Sequence, residues 1–188
     1  MKALKKICTA LMLLAFAFVF ASCSSGSDSD DDDDQSITLS DGDYTLAITQ
    51  TSDGMVEKYD IKATASNESW TFKSGSKTET VDLTKKMKTD ELEEFNKMDE
   101  NAKKAEAKKN MKSPADAEVS FVNNEVIVKS TLSAAELTEM QKNYQMQKNY
   151  QLSSIPSDAK IETITDKTEY EITTSKAWGT IVFHIKKD

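Results

Sequence analysis

The stretch that decides the fold is DYTLAIT, residues 43–49, in which apolar side chains alternate with mostly hydroxyl-bearing ones. In an extended chain, successive side chains point to opposite faces of the sheet. Tyr44, Leu46 and Ile48 therefore share one face, and the residue after each of them lies on the other. This period of two predicts a half-buried β-strand.

The alternation continues after a predicted hairpin turn at Asp53-Gly54. Asp-Gly pairs favour the tight turns that join antiparallel strands. Beyond the turn, Tyr59, Ile61 and Ala63 fall on one face, and we expect them to point inward. These residues predict a second strand that pairs with the first one.

Two more strands are expected before residue 85. Trp70 and Phe72 mark the third strand, a turn is predicted at residues 74–76, and Val81 and Leu83 mark the fourth. The first third of the folded part therefore reads as an antiparallel meander.

The hydrophobic period then changes to that of a helix, predicted over residues 90–111. Asp90 and Glu93 have the spacing of a capping box, and Pro114 follows the expected end. Acidic residues crowd the first turn and lysines the last, which suits the helix dipole. A narrow apolar stripe is formed by Phe95, Met98, Ala102 and Ala105.

A hairpin and a second helix follow. Asn123-Asn124 is the predicted turn between Val119 and Val126. The sequence SAAE, residues 133–136, is a capping box that opens a helix predicted over residues 133–150. About three strands are expected after Pro156.

The second helix contains a duplication, QKNYQM followed by QKNYQL, over residues 141–152. A six-residue step does not return to the same face of a helix, so Tyr144 and Tyr150 cannot share one stripe. We expect the second copy to lie in solvent.

Together these patterns predict an α+β fold. Its sheet is expected to be antiparallel and curved, or closed into a small β-barrel, with about nine strands and two α-helices. We expect residues 36–188 to form a single globular domain. Its length permits a core without disulfides.

Composition limits the partners of this chain. The formal net charge is −8, and all 24 basic residues are lysines. An acidic surface repels phosphates, so we expect no nucleic acid partner. The only cysteines are Cys8 and Cys23, which excludes a framework of several disulfides.

Residues 1–22 have the organisation of a secretion signal. Three lysines in MKALKK precede a 14-residue apolar run, Ile7 to Phe20, and small residues follow it. The run covers about 22 Å as a helix, less than the hydrocarbon thickness of a bilayer. We therefore expect cleavage rather than a membrane span.

The end of this leader, Phe20, Ala21, Ser22 and Cys23, resembles the lipobox of bacterial lipoproteins. The resemblance implies that signal peptidase II cuts before Cys23. It also implies that the Cys23 sulfur carries a diacylglyceryl group and that the new amino group is acylated, for example by palmitate. Two or more such chains hold a protein stably on a bilayer.

Residues 23–35 join this anchor to the domain. After Cys23 the segment holds six aspartates and no apolar side chain, which predicts a solvated, disordered tether. Calcium binding is the alternative for the aspartates, but Asp33 and Leu39 stand where an EF-hand loop needs Gly and Glu. The acidic stretch also resembles those of surface-exported lipoproteins in some Gram-negative phyla.

No constellation of catalytic residues is recognised. The only histidine, His184, is expected on the face opposite Ile181, Phe183 and Ile185, as a surface or strand-pair residue. It has no second histidine for a zinc site and no triad context. We therefore expect no enzyme activity, no catalytic or metal-binding residues and no cofactor.

Aromatic residues recur along the predicted strands, and we expect them to fill the core or, in a wide barrel, to line a small apolar cavity. They are Tyr44, Tyr59, Trp70, Phe72, Phe121, Tyr170, Trp178 and Phe183. The layout is similar to lipocalin-like domains, with DGDY before the first long strand in the place of their Gly-x-Trp. That resemblance implies a small apolar ligand.

The expected function is that of a lipid-anchored lipoprotein of the bacterial envelope with a non-catalytic interaction or structural role. The anchor places it at a membrane, for which we expect the outer membrane, on either the periplasmic or the surface face. Its expected partner is an envelope or host protein. The alternative is a lipocalin-like carrier of a small apolar ligand.

Overall fold

The structure is a computed structural model that describes residues 36–38, 40–66, 69–144, 149–151, 159–165, 168–177 and 179–188. Strands predominate in this part of the chain. Its elements are β1 (Ser36–Thr38), β2 (Gly42–Ser52), β3 (Met55–Ser66), β4 (Ser69–Asp82), α1 (Leu83–Lys86), α2 (Thr89–Lys97), α3 (Glu100–Asn110), β5 (Glu118–Val122), β6 (Glu125–Thr131), α4 (Ala134–Tyr144), β7 (Asn149–Gln151), β8 (Ala159–Thr165), β9 (Glu169–Lys176) and β10 (Gly179–Lys187).

Eight strands form one antiparallel sheet in the order β5-β6-β4-β3-β2-β10-β9-β8, and β1 pairs with β7 separately. The β2–β3 hairpin turns at Asp53-Gly54, as predicted, and Gly54 has a positive φ of 68°. The β5–β6 hairpin turns at Asn123-Asn124, also as predicted. Two antiparallel meanders are joined where β10 pairs with β2.

One face of the sheet, here called the inner face, carries most of the buried side chains. Tyr44, Leu46 and Ile48 are almost fully buried there, as their alternation predicts, and so are Ile61 and Ala63. A first hydrophobic cluster spans β2, β3, β4, β9 and β10 and is contacted by α4. A second cluster lies under α2 and α3, against β5 and β6.

The helix α4 is fixed by its start and by its packing. The Ser133 and Glu136 side chains form the predicted capping box, because each accepts a hydrogen bond from the other residue's backbone N–H. Leu137 is buried in the first cluster. The Gln141 Oε1 atom accepts a hydrogen bond of 3.0 Å from the Phe72 N–H on β4.

The structure confirms an antiparallel, predominantly β, α+β fold, but the predicted counts are wrong. Ten strands and four helices are found among the described residues, against about nine and two predicted. The described sheet is also not closed into a barrel, because β5 and β8 form two separate edges.

Both predicted helices have different bounds. The helix predicted over residues 90–111 is two helices, because Asp99 accepts a hydrogen bond from the Ala102 N–H and starts α3 anew. Asp90 is not the cap of α2, whose N-cap is Lys88. The helix predicted over residues 133–150 ends at Tyr144, since residues 149–151 pair with β1.

The turn predicted at residues 74–76 is wrong, because β4 is continuous through it. Gly75 instead allows Leu132 to come close to the backbone of β4. The Leu132 N–H donates a 2.9 Å hydrogen bond to the Gly75 carbonyl. A Cβ atom at position 75 would lie 2.9 Å from Leu132 Cδ1. Such contacts are a known use of glycine inside strands.

Candidate functional site

The least expected group on the inner face is a set of ionised side chains, Glu57, Lys77 and Glu79, called here the inner charge cluster. Glu57 on β3 pairs in register with Glu79 on β4, and Lys77 is two residues before Glu79 on the same face. Counted over the whole residue, Glu57 and Glu79 are only 8% and 9% exposed. Ionised groups this deep in a protein are rare unless they are paired.

Lys77 joins the two carboxylates. Its Nζ atom lies 3.1 Å from Glu57 Oε1 and 3.0 Å from Glu79 Oε1. The same ammonium lies 5.6 Å from the centre of the Tyr59 ring, close enough for a cation–π interaction. The cluster is therefore held by one cation shared between two anions and an aromatic face.

Burial and charge act together on these groups. Burial raises the pKa of the Glu79 carboxyl above its ordinary value, and the nearby Lys77 ammonium opposes that rise. Burial alone would lower the pKa of Lys77, but the two carboxylates raise it above its ordinary value. Burial also raises the pKa of Tyr59 to about 12.

This arrangement limits the chemistry of the cluster. Lys77 remains protonated at neutral pH, so its amine is not a free nucleophile or base. Burial disfavours the charged form of Glu79, so this carboxyl gains a proton at higher pH than an ordinary glutamate does. The ion pairs of the cluster join β3 to β4.

Gln50 extends the row of polar side chains on the inner face. It pairs in register with Glu57 and is only 7% exposed. Its Nε2 atom has no hydrogen-bond partner among the described residues. The polar row Gln50, Glu57 and Glu79 thus crosses three neighbouring strands, β2, β3 and β4.

Sequence reasoning missed the inner charge cluster, although a signal was present. The alternation that places Tyr59 and Ile61 inward also places Glu57 inward, two residues earlier. The turn predicted at residues 74–76 hid the matching alternation of Lys77 and Glu79 on β4. The cluster is visible only when β4 is read as one long strand.

His184 lies where the sequence predicts it. It is half-buried on the outer face of β10, and its Nε2 atom lies 2.7 Å from Glu169 Oε1 on β9. The hydrogen bond with His184 holds the pKa of Glu169 below its ordinary value. The prediction of a strand-pair histidine is confirmed.

Several of the aromatic residues singled out in the sequence pack in the core. Tyr44, Trp70, Phe72 and Tyr170 are buried in the first cluster. The Tyr44 and Trp70 rings meet edge to face, with centroids 5.2 Å apart. Trp178 lies outside the described residues.

The predicted lipidation site also lies outside the described residues. This applies to Cys23, to the lipobox residues Phe20, Ala21 and Ser22, and to the tether at residues 23–35. Within the described part of the chain, no helix has the length and apolar character needed to cross a membrane. The same part contains no group of three or more His, Cys, Asp or Glu side chains placed to hold a metal ion.

Comparisons of the chain with known protein families, with curated proteins and with solved structures find no match.

Proposed function

We propose that this chain is a lipid-anchored lipoprotein of the bacterial envelope, at the outer membrane, with a non-catalytic interaction or structural role. The observation that carries the proposal is the position of Cys23. It stands at the end of a charged and apolar leader, behind three lipobox-like residues, and directly before an acidic segment without apolar side chains.

In the proposed non-catalytic role, the charged side chains of the folded part bind one another. The charged side chains of the inner charge cluster bind one another, and Lys77 is held between two carboxylates. The His184 imidazole is likewise bonded to Glu169 on the outer face. These contacts join neighbouring strands of the sheet.

The anchor is tested by comparing Cys23→Ser with Cys8→Ser in the native host. Intact mass spectrometry of the wild-type protein should show cleavage before Cys23 and the mass of added acyl chains. The Cys23→Ser protein should lack these chains, because an oxygen cannot form the thioether. After removal of the leader it should be found in the soluble fraction.

The Cys8→Ser variant is the matched control, since the sulfur it loses belongs to the leader. It should keep the acylated mass and sediment with membranes. An unacylated Cys23→Ser protein that has lost its leader and still sediments with membranes would contradict the proposal.

The alternative of a small apolar ligand carrier rested on the aromatic residues. The buried ones among them contact each other and the neighbouring strands, so packing explains their positions. Native mass spectrometry of protein purified from its own host tests the alternative. A retained small molecule would favour a carrier over an interaction module.

A further inference from the structure

We propose that Met111 is a modification site, at which oxidation of the side chain to methionine sulfoxide by a peroxide releases α3 from the sheet. The inference goes beyond the function proposed above. It does not depend on the lipid anchor or on any partner.

Each of the three consecutive helices α1, α2 and α3 ends at a methionine. Met87, Met98 and Met111 are their C-cap residues. The backbone N–H of each donates to a carbonyl of the preceding helical turn, at 2.9, 3.1 and 2.9 Å respectively. All three side chains are half-buried and pack against the second hydrophobic cluster. They therefore lie at the rim of this cluster, where a small oxidant in solution can reach them.

The helix α3 depends on its methionine more than the other two helices do. Both α1 and α2 also bury a large apolar side chain, Leu83 and Phe95. The α3 sequence, ENAKKAEAKKN, contains no apolar side chain larger than alanine. Among the described residues of this helix and its C-cap, those that pack in or against the second cluster are Ala107 and Met111. Met111 therefore supplies most of the apolar surface by which α3 contacts the sheet.

The polar contacts of α3 do not join it to the sheet. Asn110 is buried, but its amide donates to the Glu106 carbonyl at 2.8 Å and to the Glu106 carboxylate at 2.9 Å, one turn earlier. The Lys108 Nζ atom donates to a backbone carbonyl in the loop after the helix. In the described part of the chain, the side-chain hydrogen bonds and ion pairs of residues 100–110 all end within residues 99–115.

The oxidation is a two-electron reaction between one thioether and one peroxide. With hydrogen peroxide, the sulfur attacks one oxygen, and the S–O bond forms as the O–O bond breaks. The proton on the attacked oxygen passes to the departing hydroxide, which leaves as water. The sulfur is oxidised and the peroxide is reduced. The sulfoxide is polar, so keeping it against apolar side chains without a hydrogen-bond donor disfavours packing of α3.

Two other methionines provide comparisons within the same chain. Met55 on β3 is only 8% exposed, so a peroxide should reach it slowly. Met140 on α4 is half-buried and packs against the first hydrophobic cluster. However, α4 also buries Leu137 in that cluster. Oxidation of Met140 should therefore leave α4 in place.

The test treats the full mature protein, in mild detergent, with hydrogen peroxide and follows it by peptide mass spectrometry. Met111 and Met140 should each gain one oxygen at least about fivefold faster than Met55. Amide hydrogen exchange of the oxidised protein should then be about tenfold faster in α3, because burying an apolar contact of this size shifts a local opening equilibrium by about that factor. Amides of α4, β2 and β3 should keep their original rates.

Substitutions separate Met111 from the other methionines. Met111→Leu keeps the apolar contact without a sulfur atom, so peroxide should leave α3 protected although Met87 and Met98 are still oxidised. Met111→Gln has a polar side chain of similar length, so α3 should exchange about tenfold faster without any oxidant. Met140→Gln is the matched control and should not change exchange in α3.

Three results would overturn the proposal. One is that Met111 resists peroxide as strongly as Met55 does. Another is that Met111 is oxidised while exchange in α3 stays within about twofold of its original rate. The third is that α3 of Met111→Leu loses protection under peroxide as the wild type does. If Met111→Gln does not fold, the peroxide comparison of Met111→Leu with the wild type still decides between these results.

Discussion

Replacing Lys77 by methionine is the most direct test of the inner charge cluster. Methionine retains most of the length and apolar volume of lysine but removes the cation between Glu57 and Glu79. The two carboxylates then remain close together on the inner face without their shared partner.

The expected loss of stability follows from the burial of the three groups. Removing one partner from a fully buried ion pair costs about 3 to 5 kcal/mol. The side chains of Lys77, Glu57 and Glu79 are 22%, 11% and 12% exposed, so water partly screens them. We therefore expect the lower end of that range, about 3 kcal/mol, for the unfolding free energy of Lys77→Met.

The loss of unfolding free energy in Lys77→Met should also depend on pH. In the wild type, burial already raises the pKa of Glu79. Removing Lys77 removes the charge that opposes burial, so the pKa rises further. A carboxyl with a raised folded-state pKa contributes most stability below its unfolded value, about 4.3, and loses it as the pH rises. The deficit of Lys77→Met should therefore shrink from about pH 8 to about pH 5.

Urea unfolding of the wild type and the variant measures both effects. A loss of about 3 kcal/mol lowers the midpoint by about 1 to 3 M urea at an unchanged slope. Lys58→Met is the matched control, because Lys58 lies on the exposed outer face of β3 and pairs with Asp60. It should change stability by less than about 1 kcal/mol. A Lys77→Met deficit below about 1 kcal/mol, or one that grows on acidification, would refute the reasoning.

Three further substitutions test the fold. Gly179→Ala should cost more than about 2 kcal/mol in urea unfolding, because φ is +156° and the new Cβ would overlap the backbone oxygen of Thr51 on β2; Ala177→Ser, two residues earlier, should be nearly neutral. Asp99→Ala should cost about 1 kcal/mol by removing the α3 cap, whereas Asp90→Ala should cost less; equal losses would contradict the helix break. Leu137→Ala should cost about 2 to 5 kcal/mol, because Leu137 packs α4 against the first hydrophobic cluster; a loss below about 1 kcal/mol would show that α4 is not docked there.

The parts of the fold that were predictable from sequence are those set by local chemistry. Asp53-Gly54 and Asn123-Asn124 specify tight turns by themselves. The Ser133 capping box needs only residues within one helical turn, and the alternation from Tyr44 to Ile48 requires only that one face be buried.

The errors occurred where distant contacts decide the local structure. Gly75 reads as part of a turn in sequence, but it lies in a strand because Leu132 approaches its backbone there. Residues 149 and 150 fall within the predicted second helix, yet residues 149–151 pair with β1, about 110 positions earlier in the chain. The apolar stripe of the predicted first helix continues past Met98, which favours one long helix in sequence. In the structure the helix is interrupted there, because Asp99 caps the start of a new helix, α3.

The inner charge cluster also opposes a shift in the register between β3 and β4. A one-residue slip of β4 against β3 would turn Lys77 to the outer face and leave Glu57 buried without its partner. The cluster therefore penalises the wrong register. Replacing it with apolar residues of similar size, Glu57→Leu, Lys77→Met and Glu79→Leu together, removes this penalty while keeping the volume filled.

We expect this triple variant to match the wild-type stability within about 1 kcal/mol or to exceed it, since well-packed apolar replacements of buried ion pairs are often neutral or stabilising. Its amide NMR spectrum should nevertheless show a second set of signals for residues of β3 and β4. Extra signals from β3 and β4, accompanied by shifted signals from the residues that contact Trp70 and Phe72 in the first hydrophobic cluster, would report a second register. The opposite result is a single set of signals in which the backbones of residues 57 and 79 still face each other as in the wild type. It would mean that the two hydrophobic clusters alone fix the pairing of β3 with β4.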